Sequence, residues 1–304
     1  MKKLASMLLI LCASALAQDA APAADAQQAT PPQMFSSNIA ERAAAPSYSD
    51  IQCAGFVTRE EFPKANHIVA GYQAPHAARF SERELIYLEG SGYSVGTQYR
   101  VIRKQRDPNQ YEIFPGQNKL LRRSGDLFAD LGRVRVIRLE ESIAVAMVEF
   151  SCEPMVAGDT VIPFVDRPNV VFAKRPSFEH FMPSSGSTGR VLMGRGFDQF
   201  LGVTQKLYIN IGSDQGLKPG DYVRISRNYD PKKMPPSDAV SLDAPAREDT
   251  QTDAIKIGKR ELRKLPYRGV GEAMVLNTTA DTATVMVTSA LEDINPGDVV
   301  EAAK

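Results

Sequence analysis

The chain has 304 residues with 36 basic and 36 acidic side chains, long enough for two separate cores and too evenly charged to favour a nucleic-acid partner. Tryptophan is absent, and the three histidines, His67, His76 and His180, leave little material for a histidine metal site or for acid–base chemistry.

The first 17 residues carry the marks of a signal peptide. Lys2-Lys3 precede an apolar run from Leu4 to Leu16, and Ala15-Leu16-Ala17 fits the small-x-small cleavage rule. The run is too short to span a bilayer. Cys12 raises a lipoprotein alternative, although Leu11 stands where a small residue is wanted. Cleavage removes Lys2 and Lys3, leaving 34 basic against 36 acidic groups and a formal charge of −2. The expected destination is export, to the periplasm, the cell envelope or the exterior, with no transmembrane segment in the mature chain. Cys53 and Cys152 then remain, and an even pair in an oxidising compartment reads as a disulfide, with two buried thiols as the alternative.

Residues 18–50 are rich in Ala, Gln and Pro without apolar periodicity, the composition of a disordered tether with at most a short helix around Phe35–Ala44. The folded part is expected from Ile51. Four turns punctuate it: Val95-Gly96-Thr97, Ala157-Gly158-Asp159, Pro219-Gly220-Asp221 and Pro296-Gly297-Asp298. Glycine supplies the positive φ of a tight turn, and aspartate can bond the backbone beside it.

These turns belong to an internal duplication. His67-Ile68-Val69-Ala70-Gly71 matches Arg190-Val191-Leu192-Met193-Gly194, and Arg100 and Arg103 match Arg224 and Arg227. Residues 132–161 then lie ungapped on 271–300 with nine identities, where chance gives about two. Each unit reads as short alternating strands, as in Thr282-Ala283-Thr284-Val285-Met286-Val287-Thr288. The first unit replaces the outward Thr282 and Thr284 by Ile143 and Val145, so this hairpin is expected to be covered on both faces, by the other unit or by the segment near Cys53.

The fold class is therefore all-β: two tandem homologous small barrels or sandwiches at 51–166 and 187–304, joined by a linker at 167–186. A Pro-rich charged insertion at about 228–253 enlarges the second unit. No catalytic residue is predicted. Cys152 lacks a nucleophile turn around it, and the aspartates of the Gly-Asp turns are too dispersed to share one metal ion. No cofactor is called for. The binding candidates are the basic residues Lys256, Lys259, Arg260, Arg263, Lys264 and Arg268, read either as a contact for an anionic envelope component or as a solvated face; Arg122 and Arg123 lie in the matching loop of unit one.

The succession Tyr208-Ile209-Asn210-Ile211-Gly212, Gly216-Leu217-Lys218-Pro219-Gly220-Asp221, Gly271 to Val275 and Ile294 to Val300 resembles a β module of bacterial envelope proteins. It is similar to the region following LysM domains in some secreted proteins and, more distantly, to the C-terminal domain of flagellar assembly protein T. The resemblance covers both units and implies a non-catalytic binding or assembly module, with peptidoglycan or an envelope protein as partner. The alternative is a cell-wall enzyme or regulator with its site between the units.

Overall fold

Every strand of the first barrel finds the same neighbours as its copy in the second. The structure, a computed structural model, describes residues 45–108, 111–167, 170, 186–228, 259–262 and 264–302. The leader, almost all of the tether, most of the linker and the 228–253 insertion lie outside the described residues.

The first unit contains β1 (Phe56–Thr58), β2 (His67–Gly71), β3 (Leu85–Glu89), β4 (Gln98–Gln105), β5 (Asp126–Glu140), β6 (Ile143–Ser151) and β7 (Thr160–Pro163). The second contains β8 (Thr188–Gly194), β9 (Lys206–Ile209), β10 (Tyr222–Arg227), β11 (Arg268–Thr278), β12 (Ala283–Ala290) and β13 (Val299–Ala302). The described residues also form the short helices α1 (Tyr48–Gln52), α2 (Gln117–Ser124) and α3 (Lys259–Leu262). In the first unit the neighbour order is β5-β4-β7-β2-β3-β6, closed by β6 on β5. Substituting each strand by its copy gives β11-β10-β13-β8-β9-β12, the closed order of the second barrel. Two six-stranded antiparallel barrels thus share one topology, and closure leaves neither with a free edge around its ring.

Alternation places one face of each strand inside. Ile68, Ile86, Val101, Val136, Ala144 and Val148 fill barrel 1, and their copies Val191, Ile209, Ile225, Val275, Ala283 and Val287 fill barrel 2. Volume is exchanged between positions: Tyr99 with Ala146 in barrel 1 stands for Val223 with Val285 in barrel 2.

The glycine turns close both rings. Gly158 N donates to Ile68 O and Gly297 N to Val191 O, each at 2.8 Å. Gly96 N donates to Val136 O and Gly220 N to Val275 O, at 2.7 and 2.8 Å. All four glycines have φ between 82° and 95°. The aspartates cap their own turns, accepting from Val156 N, Lys218 N and Asn295 N at 2.7, 2.8 and 2.8 Å. Where Thr97 replaces aspartate, the hydroxyl of Tyr99 takes over the task, accepting from Ser94 N at 3.0 Å.

Segment 51–58 lies between the barrels. β1 pairs with β5, setting Phe56 opposite Phe128. Its other side meets the outer face of barrel 2, where Thr284 Oγ1 donates to Gly55 O at 2.9 Å and Thr282 Oγ1 to Val57 O at 2.7 Å. The expected covering is thereby reversed. The polar copy of the hairpin is the one buried under the segment near Cys53, with Thr282, Thr284 and Met286 each 1% exposed. Threonine tolerates that burial because each hydroxyl finds a carbonyl. In barrel 1 Val145 is buried, but Ile143 and Met147 are only half-buried.

Candidate functional site

Among the described residues, a groove at the junction of the two barrels brings charged and aromatic side chains together. It encloses about 450 Å³ and is lined by Phe56, Phe62 and Arg100 from the first unit, by Arg167 just beyond it and by Asn277 and Thr279 from the second, with Glu60 and Glu61 exposed at its rim.

The groove rests on Asp130, which β5 places at 1% exposure. Its Oδ2 accepts from Gly55 N at 2.9 Å and from Arg167 Nη1 at 2.6 Å, and the same guanidinium nitrogen reaches Ile51 O at 2.9 Å. Asp130 Oδ1 accepts no hydrogen bond, and Arg100 Nε lies 3.9 Å away. Arg100 Nη2 donates to Val165 O at 2.6 Å, and Phe164 lies beneath the guanidiniums of Arg100 and Arg133, at 5.6 and 5.0 Å. Burial, and next the like charge of Arg167, lower the Arg100 pKa to about 10, against the opposing pull of Asp130 and Asp166. Arg100 nevertheless stays charged at neutral pH. It is a largely desolvated cation beside a groove, the condition that favours an incoming carboxylate or other anion.

Sequence reading did not single out Arg100 as a site residue, or Asp130 and Arg167 at all. A signal was present for one of them: Asp130 interrupts the apolar run Leu127-Phe128-Ala129-Asp130-Leu131, and a carboxylate inside a buried strand needs a partner. Arg167 carried none, since it falls at the first position of the expected linker, yet it is only 9% exposed.

The basic candidates are dispersed. Lys256 and Arg263 lie outside the described residues, as does the side chain of Lys259, which opens α3. Arg260 and Lys264 are exposed. Arg268 is held by Glu292 through two hydrogen bonds of 2.8 Å, which raise its pKa further. Gly96, Gly158, Asp159, Gly220, Asp221, Gly297 and Asp298 lie in turns between strands. Cys53 and Cys152 form a disulfide with Cα atoms 5.6 Å apart, so neither is a free thiol nucleophile. It ties the end of α1 to the end of β6. Among the described residues no group of three or more His, Cys, Asp or Glu side chains could hold a metal ion, and no helix is long and apolar enough to cross a membrane.

No protein-family model matches the chain, and a search of curated proteins finds no match.

Proposed function

We propose that this chain is an exported, non-catalytic binding or assembly module of the cell envelope, contacting peptidoglycan or an envelope complex through the inter-barrel groove. The groove carries the reading. It offers both signs of charge and two phenylalanines, and its strongest ionic groups are fixed by one another, as Asp130 is by Arg167, which suits recognition better than proton transfer. The Cys53–Cys152 disulfide supports export, since such bonds persist in oxidising compartments.

The test is co-sedimentation of the purified protein with peptidoglycan at low and high salt. The reading expects salt-sensitive pelleting that weakens in Arg100→Ala and in the Glu60→Lys/Glu61→Lys pair. Charge reversal at Arg260 and Lys264 reports whether the basic arm contributes. Pelleting unchanged in all of these variants removes the groove from the reading. Turnover of a cell-wall substrate by the purified protein replaces it with an enzyme.

A further inference from the structure

Barrel 1 reaches barrel 2 partly through the loop joining β4 to β5. Its helix α2 packs Leu120 and Leu121 against a cluster of Val57 and Leu127 from the first unit with Leu192, Met193 and Tyr208 from the second, and Gln117 Nε2 donates to Leu192 O at 3.1 Å. The corresponding loop of barrel 2, joining β10 to β11, carries α3. There Leu262-Arg263-Lys264 restates Leu121-Arg122-Arg123. The described chain holds no third barrel for this loop to reach. Leu265 and Tyr267 stand 49% and 44% exposed, close in sequence to the exposed Arg260 and Lys264.

The receiving face is duplicated as well. Leu192 sits at a bulge between Val191 and Met193, and Val69 at the same bulge between Ile68 and Ala70. Leu192 is 0% exposed where α2 packs, whereas Val69 is 38% exposed. The neighbouring strands show the same contrast, although there the cover is segment 51–58: Tyr208, beside Val57, and Met286, beside Ile51 and Ala54, are 1% exposed in barrel 2, while their copies Leu85 and Met147 are half-buried. Val69, Tyr87 and Ile143 line a recess on this face, edged by Glu140 and Glu141. Barrel 2 has Thr279 and Ala280 at those two positions. The acidic edge is therefore peculiar to the uncovered copy, and it complements the basic residues around α3. Glu140 pairs with Arg138 at 2.6 Å, but both are more than half exposed, so that pair competes weakly.

We infer that copies of this chain associate head to tail. The α3 region of one copy, with Leu265 and Tyr267, docks on the β2–β3–β6 face of barrel 1 in the next. This parallels only the α2 part of the junction within one chain, with Leu265 and Tyr267 as the apolar residues and no counterpart of segment 51–58. The interface is heterologous: a pair joined once keeps one unused donor and one unused acceptor, through which further copies add to a ring or a filament. The inference is independent of peptidoglycan binding: a chain that pellets with peptidoglycan yet stays monomeric overturns it and leaves the proposed function standing.

Sedimentation velocity over a rising concentration series tests it. The expected result is a mass that grows past the dimer and falls back as salt is raised. Val69→Glu removes the acceptor, and Leu265→Glu with Tyr267→Ser removes the donor. All three changes are at exposed positions, and a melting temperature matching the unaltered chain verifies the fold. Each variant alone is expected to be monomeric. Mixed one to one, they are expected to form a dimer holding one of each and nothing larger, because each brings one intact end. An unaltered chain that is monomeric throughout overturns the inference, as does a mixture that fails to pair or a variant that still self-associates.

Discussion

Arg103 donates twice to Asp159, from Nε at 2.7 Å and from Nη2 at 2.8 Å, and reaches Pro154 O with the same Nη2 at 3.1 Å. Arg227 repeats the arrangement on Asp298, at 2.7 Å for both bonds, and on Asp293 O at 2.6 Å. Each aspartate also caps its own turn, so one nearly buried carboxylate ties β4 or β10 to the turn entering β7 or β13. Asp159→Ala removes the cap and leaves Arg103 without its partner. Because Arg103 is 34% exposed, water recovers part of the loss, and the expected cost is about 2 kcal/mol. Asp298→Ala should cost a similar amount in barrel 2. Thermal unfolding of the two variants checks this, and a change in neither melting temperature excludes the carboxylate as a tie.

The Gly55 backbone is held from two sides. Its φ is +68°, and a Cβ there would sit 2.6 Å from the Tyr208 hydroxyl and 3.0 Å from Phe128 O. Gly55→Ala should therefore cost about 2 kcal/mol or more, from the left-handed backbone and the clash together. Thr284→Val keeps the shape but deprives Gly55 O of its buried donor, an expected loss of about 1–2 kcal/mol, whereas Thr284→Ser should remain near the parent. Denaturant midpoints for the three variants discriminate hydroxyl loss from volume change.

The duplicated barrels were legible because the repeat exposes its own punctuation: Gly158-Asp159 and Gly297-Asp298 recur at one offset, and the alternation around Ala283 fixes which residues face inward. The junction was hidden for a physical reason. Thr282 and Thr284 read as outward and solvated, yet they are satisfied by carbonyls more than 220 residues earlier, and a hydroxyl's partner leaves no local trace. Tyr99 is a similar case, since its hydroxyl substitutes for the absent aspartate of its turn from two residues beyond Thr97. Arg100 could be matched to Arg224 as a repeat position, but its depressed pKa depends on burial and on Arg167, which lies beyond β7.

Acid should loosen barrel 2 through Glu292. Hydrogen bonds from Arg268, outweighing burial, and the charges of Arg268 and Arg227 hold this carboxyl below its ordinary 4.5. A depressed carboxylate pKa contributes stability that is complete above the unfolded value and is lost as pH falls through the folded one. The window therefore opens near pH 4.5 and extends downward. Glu149 is also lowered: burial pushes it up, but hydrogen bonds from Arg135 and Gln98 with the charges of Arg135 and Arg133 outweigh that, so barrel 1 should respond in the same direction. Urea unfolding at stepped pH should show Glu292→Gln less stable at about pH 7 and flatter below about pH 4.5. Parallel curves for parent and variant contradict this assignment.

The disulfide closes a span of 99 residues from the inter-barrel segment to the end of β6. Chain-entropy reasoning gives a loop of this length about 4–5 kcal/mol. Cys53→Ser with Cys152→Ser should lower the denaturant midpoint accordingly and make it indifferent to reductant, while the parent's midpoint drops when reductant is added. A parent that is itself indifferent to reductant shows that the cross-link contributes no stability.

Asp130 should be the most sensitive position in the junction. Its carboxylate is 1% exposed and faces Arg167 at 9% and Arg100 at 13%. Asp130→Ala strands two desolvated cations and frees Gly55 N, for which a loss of about 3–5 kcal/mol is expected. Asp130→Asn keeps the volume and an acceptor but not the charge, and should fall between Ala and the parent. Removing both charges tests the origin of the cost. If stranded cations dominate, adding Arg167→Met to Asp130→Ala should recover stability rather than subtract more, because burying a methionine is cheaper than burying an unpaired guanidinium. If the two losses simply add, the junction depends on Asp130 chiefly through the backbone of Gly55, and Arg167 acts there by its own bonds to Ile51 and Gln52.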